Sequence, residues 1–179
     1  MNESLRIAWE QYEHLYEEIS VPARTILLEE GKVARYAYYI VEGGVRVWFN
    51  NKGKDTSFQF FFEQEGVSSI ESFRTGQPSM FTIETLFPSK LLKISKEDFA
   101  VIVNSIPGFK AELEEAIFQR FLHYSKLFVS HIRDTPQERY EALLKEQPHL
   151  IQRVPLQYIA SYLGITAVSL SRIRNKLHK

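Results

Sequence analysis

The stretch from Val154 to Leu177, VPLQYIASYLGITAVSLSRIRNKL, decides how this chain is read. Two short helical patterns meet at Leu163-Gly164-Ile165. Ile159, Ala160 and Leu163 lead up to the glycine, and Ile165, Leu170, Ile173 and Leu177 follow it. The spacing of Leu170, Ile173 and Leu177 marks one buried face of the second helix. Its opposite side carries Ser169, Ser171, Arg172, Arg174 and Lys176. Two apolar helices joined by a glycine turn, the second polar and basic outside, predict a helix-turn-helix whose second helix fits a DNA major groove.

Each position has a physical reason. Pro155 sits where a first helical residue needs no N–H donor, and Ala160 is small where two helices cross. Gly164 supplies the left-handed conformation that turns the chain sharply. Thr166 caps the second helix, leaving amides that face a phosphate. Arg172 suits a paired hydrogen bond with guanine O6 and N7, whereas Arg174 and Lys176 suit phosphates.

Composition agrees with a DNA-touching regulator once the chain is divided. Formal net charge is +0, yet from residue 151 onward the charged residues are Arg153, Arg172, Arg174, Lys176 and Lys179, and all 22 acidic residues lie upstream. A basic tail on an acidic body fits a protein that meets phosphates with one end. At 179 residues, 44% hydrophobic and 25% charged, the chain has the length and balance of one large or two modest globular domains. The absence of cysteine excludes disulfides, thiolate metal sites and cysteine-held iron–sulfur clusters. No run approaches the roughly 20 apolar residues of a membrane span. The start MNESLRIAWEQ lacks a signal-peptide pattern. A cytoplasmic protein without a membrane partner is expected.

Residues 2–20 place Leu5, Trp9, Tyr12, Leu15, Tyr16 and Ile19 at helical spacing, which predicts an amphipathic helix ended by Pro22. From 24 to 95 the period changes. Arg24–Leu28, Tyr36–Val41, Val45–Phe49, Thr56–Phe62, Phe81–Leu86 and Lys90–Ile94 read as short strands. Glu30-Gly31, Gly43-Gly44, a loop over 50–55 and a region holding Gly66, Gly76 and Pro78 separate them. Short strands at even spacing predict a small antiparallel sandwich or barrel.

Lys96–Asn104 reads as a short helix begun at Ser95, with Asp98 as partner in a partial capping box. A long helix follows over 109–132. Ile117, Phe121, Tyr124, Phe128 and His131 recur along it at steps of 4, 3, 4 and 3, a seam suited to a partner helix or to packing on the strands. Thr135-Pro136-Gln137-Glu138 starts another helix on Tyr140, Leu143 and Leu144, which Pro148 stops. The expected architecture is α+β: a β-domain with its N-terminal helix over 1–108, a dimer and linker helix over 109–133, and a helical DNA-binding domain over 134–179.

The stretch IASYLGITAVSLSRIRNKL resembles the helix-turn-helix of the Crp/Fnr family of bacterial transcription regulators, whose motif ends in Ser-Arg or Gly-Arg. Upstream, LLEEGKVARYAYYIVEGGVRVWF resembles the glycine-punctuated strands of that family's cyclic-nucleotide-binding-like jelly roll, and helix 109–132 falls at its dimer helix. LIQRVPLQYIASYLGIT looks most like Bacteroidetes-type members. The resemblance implies a cyclic-nucleotide-binding-like β-roll and a homodimer on double-stranded DNA, with RNA polymerase as a further partner. It puts Ser171 and Arg172 on the base-reading pair and Ser169 on the supporting threonine. Val168 stands where the family has a glutamate that accepts from cytosine. With the sequence ending at Lys179, the β-hairpin wing of many members is not expected.

Nucleotide-binding members carry Gly-Glu and, about ten residues on, Arg-Ser or Arg-Thr. Glutamate takes the ribose hydroxyl and arginine the cyclic phosphate. Here Val67 follows Gly66, and Ser79 or a neighbour stands in the arginine's place, with Arg74 nearby. The cassette is degenerate, so no control by cyclic AMP or cyclic GMP is expected. Val67, Ser68, Arg74, Ser79 and Met80 would line any pocket for an unknown effector. No cofactor or metal is expected, since the five histidines show no ligand spacing. An enzyme is not expected either: the serines lack a G-x-S-x-G elbow and no phosphate-cradling glycine loop appears. The competing expectation is a small-molecule-binding or protein-interaction module of the same fold without specific DNA binding.

Overall fold

The computed structural model describes residues 11–177. A 3-10 turn over Glu13–Leu15 leads into eight strands. These are β1 (Tyr16–Val21), β2 (Ile26–Leu28), β3 (Tyr36–Glu42), β4 (Gly44–Asn51), β5 (Lys54–Phe62), β6 (Gly66–Val67), β7 (Thr82–Thr85) and β8 (Ser89–Ser95). Seven helices complete the order: α1 (Ile70–Thr75) between β6 and β7, then α2 (Lys96–Ser105), α3 (Phe109–Arg133), α4 (Pro136–Glu146), α5 (Pro148–Arg153), α6 (Leu156–Tyr162) and α7 (Ala167–Leu177).

The strands form two four-stranded sheets, ordered β1-β8-β3-β6 and β2-β7-β4-β5. In the first, β8 pairs antiparallel with β1 from Tyr16↔Ile94 to Val21↔Ser89, and with β3 from Tyr36↔Ser95 to Glu42↔Lys90. Alternation fixes this register, since a slip by one residue would turn Ile40 and Leu91, both fully buried, toward solvent. Gly43 breaks β3 from β4 at φ 109, and a Cβ there would lie 2.2 Å from Ser89 Oγ, so only glycine fits.

Compactness divides the described chain into two units: residues up to 47 with 61–118, and residues 48–60 with 119–177. The first is the β-roll. Ile94, Ile102 and Ile106 form one of its buried clusters, with Tyr12, Leu15, Tyr16, Ala37, Phe99 and Phe109 packed around them. Within the roll lies an ion pair: Arg46 on β4 donates to Glu84 Oε2 on β7 from Nε at 2.9 Å and Nη2 at 2.6 Å, both side chains buried.

The second unit combines the tip of the β4–β5 hairpin with helices. Lys52 and Gly53 both have positive φ, 52° and 86°, a two-residue turn that matches strand twist. Phe58 packs on Tyr124 of α3 at 6.2 Å between ring centroids, and Phe60 on Tyr162 of α6 at 5.5 Å. Tyr124 donates its hydroxyl hydrogen to Gln59 Oε1, and the Ser57 amide donates to Ser161 Oγ at 3.1 Å. Burial pushes the Tyr162 phenol up to about 12, so it stays neutral.

Several expectations fail in instructive ways. The helix expected over 2–20 is replaced, from Tyr16 onward, by strand β1. Tyr16, Ile19 and Val21 are half-buried there, and pairing with β8 overrides a spacing that also fitted a helix. Residues 2–10 of that expectation lie outside the described residues. The loop over 50–55 shrinks to its two turn residues because the strands extend to Asn51 and from Lys54. Pro148 stops α4 but also occupies the first turn of α5, where its missing N–H leaves no bond unmade. Helix α1, within the region read only as Gly- and Pro-punctuated, is short and ends at Gly76 in the left-handed region.

Candidate nucleic-acid interface

The last two helices owe their geometry to their caps. At the end of α6 the Ile165 amide donates to the Ala160 carbonyl at 2.9 Å and the Gly164 amide to the Ser161 carbonyl at 3.0 Å. That paired pattern closes a helix on a left-handed glycine, and Gly164 has φ 69°. Thr166 Oγ1 accepts from the Ser169 amide at 3.1 Å and bonds the Ser169 hydroxyl at 3.0 Å, which fixes the first turn of α7. Ile159, Ala160, Leu163 and Leu170 are buried; Leu177, expected inward, is exposed in the last turn.

A residue without any sequence signal ties this turn to the preceding helix. Arg139 of α4 donates from Nε and Nη2 to the Leu163 carbonyl, at 3.2 and 2.9 Å, and from Nη1 to the Asp134 carbonyl at 2.7 Å. A cation satisfies the Leu163 carbonyl at the end of α6, where the helix dipole also favours it. Its partner lies 24 residues away, beyond any local motif. Arg139→Met should lower stability by about 1–3 kcal/mol, the range for charge-assisted hydrogen bonds. Urea denaturation of the whole protein measures this, and an unchanged midpoint would show that solvent replaces the guanidinium.

The candidate reading residues divide by exposure. Thr166, Ser171, Arg172 and Lys176 are exposed, with Ser171 and Arg172 adjacent on the outer side of α7. Ser169 is half-buried against its cap, and Lys176 Nζ donates to Gln137 Oε1 at 3.2 Å. Arg174 differs from the others: it is half-buried and its Nε is enclosed without a hydrogen-bond partner. The outward face therefore rests on Arg172 and Lys176.

The residues expected to line an effector pocket differ in exposure. Val67 is buried in β6, Arg74 is exposed on α1, and Met80 is exposed. Ser68 donates its hydroxyl to the Tyr36 carbonyl at 3.1 Å. Ser79 is buried and its Oγ donates within reach of Ser69 Oγ at 3.0 Å and the Phe81 carbonyl at 2.7 Å. Ser72 Oγ accepts from the Ala34 amide at 2.9 Å and contacts the Gln77 carbonyl at 2.5 Å. This serine network holds the 66–81 segment through its own hydrogen bonds.

Along α3, Ile117, Phe121 and Phe128 are exposed, while Tyr124 turns inward onto Phe58 and Gln59. His131 bonds the Leu127 carbonyl through Nδ1 at 2.9 Å, and a Cβ at Gly164 would lie 3.5 Å from its ring. Phe118, Val129 and Ile132 are exposed too, so the apolar stripe centres on Phe118, Phe121, Phe128 and Ile132. His123 is half-buried, and desolvation with Arg120 and Lys126 nearby holds its imidazole below the usual range. Among the described residues no group of three metal-ligating side chains forms, and no helix is long and apolar enough to cross a membrane.

Residues 18–105 match the family described as "Cyclic nucleotide-binding domain". The fold is shared with the c-di-GMP responsive global regulator CLP of Xanthomonas campestris, at 18% identity, TM-score 0.78, 97% of this chain and 91% of that one. FixK2 from Bradyrhizobium japonicum is similar at 18% identity and TM-score 0.78, over 91% of this chain and 84% of that one. The catabolite activator protein of Thermus thermophilus aligns at 16% identity and TM-score 0.59, over 95% and 82%. Among curated proteins no sequence matches. The chain thus carries an antiparallel β-roll of the cyclic nucleotide-binding type over residues 18–105, followed by helices, and shares its fold with these three solved structures.

Proposed function

We propose that this protein is a sequence-specific, DNA-binding transcription regulator of the Crp/Fnr type that acts as a homodimer on a pseudo-palindromic site. The helix-turn-helix is α6–α7, with α7 in the major groove. The observation that carries this reading is the outer side of α7, where exposed Ser171 and Arg172 stand opposite buried Leu170. The acid-free segment from residue 151 onward supports it, because phosphates meet no carboxylate there. The exposed stripe of α3 supports pairing of two copies, which would place the two α7 helices about one helical turn of DNA apart, near 34–36 Å. Residues 1–108, 109–133 and 134–179 then serve as sensor-like roll, dimer helix and reading domain, with RNA polymerase as a further partner and the cytoplasm as the place of action.

Control by cyclic AMP is not part of this proposal. Ser79, at or beside the place of the phosphate-binding arginine, spends its hydroxyl on Ser69 and Phe81, and Val67 offers no carboxylate to a ribose. This degenerate cassette fits a Bacteroidetes-type member with a different effector or none. The test is selection of randomised duplex DNA on the purified protein. Enrichment of a two-fold symmetric motif is expected, and retention without any enriched sequence would refute the proposal.

A further inference from the structure

We infer that Val168 reads the 5-methyl group of a thymine in the major groove, an inference that rests on the DNA-binding reading above and names part of the sequence it selects. Val168 is 61% exposed in the first turn of α7. The helical repeat puts Val168, Ser171, Arg172 and Asn175 on one side, at i, i+3, i+4 and i+7, and all four are exposed. Leu170 faces the other way and is buried.

An exposed valine gains nothing for the fold here. β-Branched residues are poorer helix formers than alanine, and no packing repays it at this exposure. It does offer a partner two methyl groups in nearly fixed positions, because a helical valine has one strongly preferred χ1 rotamer. The Thr166–Ser169 cap holds the turn that carries it.

Charge narrows the occupant. The side is flanked by Arg172 and Lys176, and no acidic residue follows residue 150, so a polyanion fits and a basic-faced protein segment finds no carboxylate to orient it. On the major-groove edge, the apolar feature available to an aliphatic side chain is the thymine methyl. Residues 168 and 172 are four apart, about 6 Å of helix rise. Val168 therefore meets a base pair about two steps from the guanine that faces Arg172.

The experiment uses the full chain and the duplex enriched by selection, with deoxyuridine replacing each thymine in turn. Removing one methyl should weaken binding about fourfold at one thymine per half-site, and about tenfold or more when both half-sites are changed. Val168→Ala, a better helix former that leaves the fold intact, should bind the thymine and uracil duplexes equally. Binding that still depends on Arg172 but is indifferent to uracil at every thymine overturns the inference and leaves the regulator reading standing. So does a Val168→Ala protein as sensitive as the native one. Absence of any sequence preference overturns both.

Discussion

Replacing Arg46 with methionine is expected to destabilise the β-roll by about 3–5 kcal/mol, because it takes the guanidinium away from the buried Glu84 carboxylate. Both groups sit where water does not reach, with the guanidinium reaching Glu84 Oε2 through Nε at 2.9 Å and Nη2 at 2.6 Å. Desolvating two ions is offset here by two charge-assisted hydrogen bonds, so the pair contributes little net stability while either half alone is costly. The double replacement Arg46→Met with Glu84→Leu should accordingly recover most of the loss, or exceed the native stability. Urea denaturation with an unchanged dependence on denaturant separates these outcomes. A double variant as unstable as the single one would mean that the lost packing of β4 against β7, rather than an orphaned charge, sets the effect.

The second large effect concerns α3. Phe121 and Phe128 are 62% and 67% exposed, with Ile132 at 72% one turn beyond Phe128. Contiguous apolar exposure of this kind marks an interaction surface. With two copies paired through it, four phenylalanine rings leave water, each contributing about 1.5–3 kcal/mol. Phe121→Glu with Phe128→Glu removes that gain and sets four carboxylates in the seam. The dimer dissociation constant should rise by more than a thousandfold, which sedimentation of the native and doubly substituted chains would measure. A native chain that sediments as a monomer at every concentration would remove the homodimer from the proposal. Because Tyr124 is engaged with Gln59 and Phe58, Tyr124→Phe should change this equilibrium far less.

The elements legible in the sequence are those whose signals are local. Thr135, Pro136 and Glu138 lie within four positions and produce the reciprocal cap at the start of α4. Ser95 caps α2 one way only, accepting from the Asp98 amide. Gly164 announced a left-handed turn because few other residues accept one, and the alternating strands followed from period alone. The features that escaped are set by distant partners. Tyr16–Val21 is a strand only because Ser89–Ile94 lies alongside it. Arg46 and Glu84 are 38 residues apart, and Arg139 finds Leu163 across 24. Tyr124, expected along the apolar stripe of α3, instead packs on Phe58 and Gln59, and nothing near it in sequence says so.

The site was legible in composition but not in reach. The sequence sets Arg172 apart for bases but treats Arg174 and Lys176 alike, as phosphate contacts. In the structure Arg174 turns its Nε inward while Arg172 remains exposed. The helical angle between them, about 200° over two residues, separates the residue proposed to read bases from one beside the packing face.

The most direct measurement is an anisotropy titration of the enriched duplex and a scrambled duplex of equal length, with the native chain and Arg172→Ala, at two salt concentrations. The regulator reading predicts that the native chain prefers the enriched duplex, and that Arg172→Ala loses about 1–3 kcal/mol of that preference. Lys176→Ala should weaken both duplexes alike and reduce the salt slope by about one. Equal affinity of the native chain for the two duplexes, or a preference untouched by Arg172→Ala, would contradict it.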